Sequence, residues 1–304
     1  MTTFFESLGS LVKQEKCNDP PRYRLYIPEP IFEKLCEVGE LTQEEHDLVS
    51  YEVDEIKVIT LDEFKNTKKN YDVLISHAPN LRNHFRFLVK YGDLFPKYIF
   101  FFHGHEVLKI NETYSKPYDY VKISKIKILG QNLYDDFKLF VWKNYFSKVV
   151  KKANFVFVSK WMLEEFLKWT KMSFELIKGN TMITYNCIGQ VFEDASFDYT
   201  VKKEFDFLTV RSFLDGSKYC IDVVNKLAYS NPSMKFLVVG KGEFFSHYKK
   251  APNIVWMNRT MNHKEIVYYM QKSRCALMPT RTDAQGLMMC EMASTGMPLI
   301  TSDI

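Results

Sequence analysis

Short apolar runs rich in β-branched and aromatic residues recur along this chain, and stretches with helical spacing separate them. In the second half the runs are FDFLTV (205–210), KFLVVG (235–240), NIVWM (253–257), CALM (275–278) and PLITS (298–302). Helical patterns fill the gaps at about 218–229, 243–250, 262–273 and 286–295. Strands that alternate with helices run parallel and carry their crossovers on the sheet faces, so the fold class is α/β. YSNPS (229–233) is a turn that closes the first of these helices, and Gly296 followed by Pro298 stops the last. The first half repeats the theme with EIKVIT (55–60), YDVLIS (71–76), YIFFFH (98–103) and NFVFVS (154–159). Between the halves, residues 186–204 are polar and poorly periodic and read as a linker. Two Rossmann-like domains, 1–185 and 186–304, are therefore expected, and 304 residues suffice for two cores.

Composition excludes several classes. A net charge of +4 is too small to argue for nucleic acid, although it suits an anionic ligand or a membrane surface locally. Six cysteines, at 17, 36, 187, 220, 275 and 290, form no C-x-x-C pair and follow no signal peptide. They read as reduced thiols of a cytoplasmic protein, and no metal site is expected. The longest apolar runs fall far short of the roughly 20 residues of a membrane helix. The helical stretch FKLFVWKNYFSKVVKKA (137–153) mixes aromatics with a basic end. It reads as a core-packing helix with a solvated face rather than a membrane-docking one, and peripheral membrane contact stays open only as a secondary location.

Open α/β sheets bind ligands outside the carboxyl ends of their strands, so the residues that follow each strand are informative. Arg211 follows FDFLTV with Lys218 seven residues on, KGE follows KFLVVG, PTRTDAQG follows CALM, and HGHE follows YIFFF. Two cations, glycines at 240 and 242, and a helix start at Gly286 and Leu287 describe a site for a diphosphate. Asp283 and Glu291 flank that helix start. Carboxylates repel phosphate but accept paired hydrogen bonds from vicinal diols, which a nucleotide sugar presents on its ribose and its hexose. His103, where a strand ends, matches phosphate or hydroxyl in polarity, whereas His77 reads as structural. GKGEFF lacks the third glycine of a nicotinamide fingerprint and NIVWMN offers no acid at the end of the next strand, so a dehydrogenase is not favoured.

With these residues in order, the sequence resembles the retaining glycosyltransferases of group 1, or family 4, which have the GT-B fold of two Rossmann-like domains facing a cleft. DAQGLMMCE is similar to their acidic pair bracketing Gly-Leu, VVGKGEFF to their Gly-x-Gly turn, ITYNCIGQVF to their interdomain segment and FFHGHEVL to their histidine loop. The resemblance implies that Asp283 touches the donor sugar, that Glu291 holds the ribose, and that Arg211 and Lys218 neutralise the diphosphate. It implies metal-independent transfer, with retention, from a nucleoside diphosphate sugar to a glycan or lipid-linked acceptor, with no further cofactor. His103 would contact the donor sugar or the departing phosphate.

Three departures accompany the likeness. Asp283 stands where the family has Glu, and NCIG departs from the family's linker pattern, in which Gly is second and Asp fourth. Residues 4–15 resemble the family's first helix with no strand or Gly-rich loop before it, and PLITSDI falls where the family continues, so both ends look truncated. A non-catalytic sugar-nucleotide binder or scaffold subunit is the alternative reading.

Overall fold

The computed structural model describes residues 61–67 and 71–303. The chain divides into two compact units, Met1–Asn70 and Tyr71–Ile304. Within the first, the described element is helix α1 (Leu61–Thr67). The expected strand at 55–60, the helix-like residues 4–15, Cys17 and Cys36 lie outside the described residues. Everything below concerns the second unit, which holds both described sheets.

The first sheet has strands β1 (Val73–His77), β2 (Lys97–Phe102), β3 (Ala153–Phe157) and β4 (Thr181–Ile183), paired in that order and all parallel. A parallel strand covered on both faces reads as a continuous apolar run, which is why β2 was legible as YIFFF. Phe100, Phe102, Phe155 and Phe157 are buried and pack against Phe146 and Phe166, and Trp142 stacks on Phe146. These come from helices α3 (Lys125–Val149) and α4 (Lys160–Thr170), which follow α2 (Arg86–Tyr91). Ser124 caps α3 by accepting from the Lys127 N–H at 3.3 Å, so the helix starts well before the expected residue 137. β4 was not anticipated, because three residues with Met182 and Ile183 exposed show no apolar run.

The second sheet, also parallel, is ordered β7-β6-β5-β8-β9. Its strands are β5 (Phe205–Phe213), β6 (Phe236–Lys241), β7 (Ile254–Met257), β8 (Ser273–Leu277) and β9 (Leu299–Ile300). Helices α5 (Ile221–Ser230), α6 (His263–Gln271) and α7 (Leu287–Ser294) connect them. Asn262 and Glu265 form a reciprocal capping box at the start of α6, and Gly296, with φ +85°, ends α7. The expected helix at 243–250 shrinks to one turn, Phe244–His247. Strand order proceeds outward from β5 on one side and from β8 on the other, so the topological switch lies between these two strands. In open α/β sheets ligands bind outside the carboxyl ends of the strands at such a point.

One segment of the first half crosses to the second sheet. Tyr118 is buried in the core formed by Leu214, Ile221, Phe244 and Ile254. Its hydroxyl donates to Asp222 at 3.1 Å, the Tyr120 hydroxyl donates to Asp215 at 2.5 Å, and the Ser115 and Ser217 hydroxyls lie 2.8 Å apart. Residues 113–120 thus form a strap between the sheets.

Candidate functional site

The carboxyl ends of β5 and β8 set the centre of the site. β5 runs past the expected residue 210 to Phe213, its register against β6 shifting between Val210 and Phe213, so Arg211 lies inside the strand. Arg211 is 9% exposed, and its guanidinium donates from Nη2 to the Pro279 carbonyl at 2.8 Å and lies 5.0 Å from the Tyr219 ring centre. Its Nε is buried without a partner. Burial pulls its pKa down, and Tyr219 and Asp283 pull the other way. A guanidinium nevertheless stays charged, so the strand end holds a desolvated cation with no ion-pair partner among the described residues.

Lys218 does not open a helix, as its spacing suggested. It sits in the 3-10 turn Ser217–Tyr219, because Cys220 adopts a left-handed conformation, φ 56°, that separates the turn from α5. The Lys218 carbonyl accepts from Thr280 Oγ1 at 3.0 Å and from the Arg281 N–H at 2.8 Å, fixing the turn to the loop after β8. Its ammonium lies 4.7 Å from the Tyr219 ring centre and 5.4 Å from that of Tyr114. Arg281, by contrast, is spent on a two-pronged pair with Asp222, at 2.6 and 3.0 Å.

Gly240 and Gly242 serve close approach. A Cβ on Gly240 would stand 2.4 Å from the Arg211 carbonyl oxygen, and one on Gly242 would stand 2.9 Å from the Asp215 carboxylate. With φ values of +153° and +149°, both positions also disfavour side chains. The glycines of the KGE turn therefore let the Arg211–Asp215 segment lie against the end of β6.

The loop after β8 carries Asp283, which is half-buried, and ends at Gly286. Gly286 leaves the amino terminus of α7 without a side-chain cap, and Leu287 begins the helix. Uncapped N–H groups at a helix start favour an anion. Glu291, one turn into α7, is 4% exposed and accepts from the Gly189 N–H at 3.2 Å. Burial raises its pKa, against the Gly189 hydrogen bond and His263. Gln285 holds the same linker segment, accepting from the Asn186 N–H at 2.7 Å and donating to its carbonyl at 3.3 Å. The two acids are thus differently placed, Asp283 in an open loop and Glu291 against the linker.

From the first sheet come His103 and the 3-10 turn His105–Val107. Buried Glu106 accepts from the N–H groups of His103 at 3.2 Å and Gly104 at 2.6 Å. His103 Nε2 and His77 Nδ1 are 3.3 Å apart, so His77 is bonded to the loop rather than merely closing its strand. Burial lowers the His77 pKa, and His103 and His84 lower it further.

Tyr114 is the residue that sequence reasoning missed. A Cβ on Gly104 would lie 3.6 Å from its hydroxyl, and its pKa is raised to about 12 by burial, Glu106, Asp283 and Tyr219 in that order. The hydroxyl is a donor at neutral pH and has no hydrogen-bond partner among the described residues. It stands between the His103 loop and Asp283. The available signal was YSKPYDY (114–120), three tyrosines in a polar loop, each with an apolar ring and a polar tip.

The arrangement is of the GT-B type, two parallel α/β sheets with the strand-end loops of both converging. Residues 204–304, which hold the second sheet and its helices, match the family model described as glycosyl transferases group 1. Sucrose-phosphate synthase from Thermosynechococcus elongatus is similar in structure, with a TM-score of 0.55 at 15% identity over 92% of this chain and 63% of its own. A GtfA/B complex structure is similar with a TM-score of 0.50 at 14% identity, over 80% of this chain and 44% of that one. The chain thus spans less than two thirds of each. No curated protein matches the sequence. Among the described residues no helix is long and apolar enough to cross a membrane.

Proposed function

We propose that this chain transfers a sugar from a nucleoside diphosphate sugar to a glycan or lipid-linked acceptor, with retention and without a metal, at the cytoplasmic side of a membrane or in the cytoplasm. The observation that carries the reading is Arg211, a buried cation at the topological switch point with a free Nε and no carboxylate paired to it. A desolvated charge of this kind is strongly unfavourable until an anion arrives. Lys218 and the uncapped start of α7 supply the rest of a field suited to a diphosphate.

In this reading the bond between sugar and phosphate breaks as charge builds on the leaving diphosphate. Arg211, Lys218 and the N–H groups near Gly286 and Leu287 stabilise that charge where a metal would otherwise do so. Asp283 accepts hydrogen bonds from the donor sugar. Glu291 keeps one oxygen on Gly189 and offers the other to the ribose diol. The ring nitrogen of His103 not engaged by His77 faces the sugar or departing phosphate, and the Tyr114 hydroxyl donates to an oxygen between them. Gly240 and Gly242 shape the base side by seating the Arg211–Asp215 segment.

The test is a thermal-shift panel of UDP, GDP, ADP and their sugars, in excess chelator, followed by donor hydrolysis and transfer. One nucleotide series should raise the melting temperature, and turnover should persist in chelator. Binding without hydrolysis or transfer to any acceptor would favour a non-catalytic sugar-nucleotide binder. No stabilisation by any nucleotide would overturn both.

A further inference from the structure

Helix α3 is apolar on two opposite faces. Leu139, Trp142, Phe146 and Val149 are buried against the first sheet, with Asp135 and Lys138 paired at 2.7 Å among them. At about 100° per residue, Ile126, Leu129, Leu133, Phe137 and Phe140 fall on the opposite side within roughly an 80° sector. These five side chains are 60 to 83% exposed. The stripe covers about 21 Å of helix at 1.5 Å per residue. A helix whose second apolar face meets no core among the described residues calls for a further partner.

Charge says what that partner is. Residues 122–151 carry seven lysines against two aspartates, a net +5, whereas the whole chain carries +4. One lysine, Lys138, pairs with Asp135 inside the core, and Asp136 pairs with Lys109. The other six, at 122, 125, 127, 143, 148 and 151, have no ion pair among the described residues. Lys125 and Lys143 project beside the stripe on one flank and Lys127 on the other, while Lys148 and Lys151 extend its line past the last aromatic. Apolar side chains bordered by unpaired lysines along one straight helix suit a flat anionic surface.

We propose that α3 is a membrane-docking helix that lays Ile126, Leu129, Leu133, Phe137 and Phe140 into an anionic lipid surface, with the flanking lysines at the headgroups. The core packing expected for residues 137–153 holds for Trp142 and Phe146, whereas Phe137 and Phe140 lie on the face that was expected to be merely solvated. The same helix holds the site loop, since Lys138 donates to the carbonyls of His105 at 3.0 Å and Leu108 at 2.8 Å. If the transferase reading holds, docking brings the His103 loop to a surface where a lipid-linked acceptor resides. The docking itself does not rest on that reading.

The experiment is sedimentation of the full chain with vesicles of phosphatidylcholine alone and with 30% phosphatidylglycerol, without nucleotide, so that failure of donor binding cannot imitate failure of docking. Binding should require the anionic lipid and weaken at least tenfold between 0.1 and 0.5 M salt. Leu133→Ser with Phe137→Ser, and separately Lys125→Glu with Lys143→Glu, should each weaken it at least tenfold with the melting temperature unchanged. Absence of vesicle binding by the native chain would overturn the proposal. So would a large fall in melting temperature in the serine variant, which would place the stripe under another part of this chain. A dimer that the serine variant converts to monomer, with no lipid binding, would assign the stripe to a second copy instead.

Discussion

Replacing Arg211 by methionine separates a binding role from a structural one, because the two predict opposite changes. Among the described residues, Arg211 is 9% exposed, its guanidinium makes one hydrogen bond, to Pro279, and Nε is left unpaired. Methionine keeps much of the volume and removes a desolvated charge. Against that gain stands the Pro279 carbonyl left without its donor, worth about 1 to 3 kcal/mol where no water replaces it. The terms offset, so the unliganded chain should melt within a few degrees of the native one. Binding of the preferred nucleoside diphosphate should behave differently. Charge-assisted hydrogen bonds are worth about 1.5 to 3 kcal/mol, so affinity should fall roughly 10- to 150-fold. Isothermal titration and urea unfolding on the same preparation measure both. A variant that loses several kcal/mol of stability and keeps its nucleotide affinity would show that Arg211 is a structural residue and that the diphosphate lies elsewhere.

Three further outcomes are expected. Tyr114→Phe removes a hydroxyl with no hydrogen-bond partner among the described residues, so stability should hold while transfer or donor hydrolysis drops about tenfold, as for one lost hydrogen bond of about 1.4 kcal/mol; unchanged kinetics would remove Tyr114 from the site. Gly240→Ala forces a methyl to within 2.4 Å of the Arg211 carbonyl and 2.7 Å of Leu214, and should destabilise by about 1 to 3 kcal/mol in urea unfolding. For Glu291, burial raises the folded pKa above the ordinary value of 4.5, so the contribution it makes in acid is lost as pH rises through the folded pKa. Glu291→Gln keeps the acceptor for Gly189 and abolishes that loss. Its stability relative to the native chain should therefore improve from pH 4 to pH 7, and a difference independent of pH would contradict the burial argument.

The strands of the second sheet were legible because a parallel strand covered on both faces must be apolar at consecutive positions, and β5 to β9 all carry such runs. What the pattern could not give was where tertiary contacts override periodicity. Residues 248–251 continue a helical spacing, yet the Asn225 side chain donates to the Lys249 carbonyl and accepts from the Ala251 N–H, both at 3.0 Å. Pro252 follows and disfavours helix at the residue before it. Lys218 misled in a similar way, since the left-handed Cys220 that ends its turn leaves no mark in composition. Strand-end logic singled out Arg211, Asp283 and His103 as candidates without any contact information. It could not find Tyr114 or the strap, whose partners lie about a hundred residues away in sequence and obey no spacing rule.

The strap also bears on how the site works. The cations of the candidate diphosphate site stand on the second sheet, in β5 and the turn after it, whereas Tyr114, whose ring lies 5.4 Å from the Lys218 ammonium, and the His103 loop come from the first half. Three contacts, Ser115 with Ser217, Tyr118 with Asp222 and Tyr120 with Asp215, join the two across those same loops. Asp215 accepts from Glu243 N–H as well, at 2.8 Å, and a Cβ on Gly242 would press on it, so the strap, the turn after β5 and the KGE turn meet at one carboxylate. Any movement that separates the halves must break these hydrogen bonds and draw Tyr118 out of an apolar core. The geometry therefore ties the position of Tyr114 to that of Lys218, and in the proposed transferase reading a donor that orders the turn after β5 orders the groups facing its sugar at the same time.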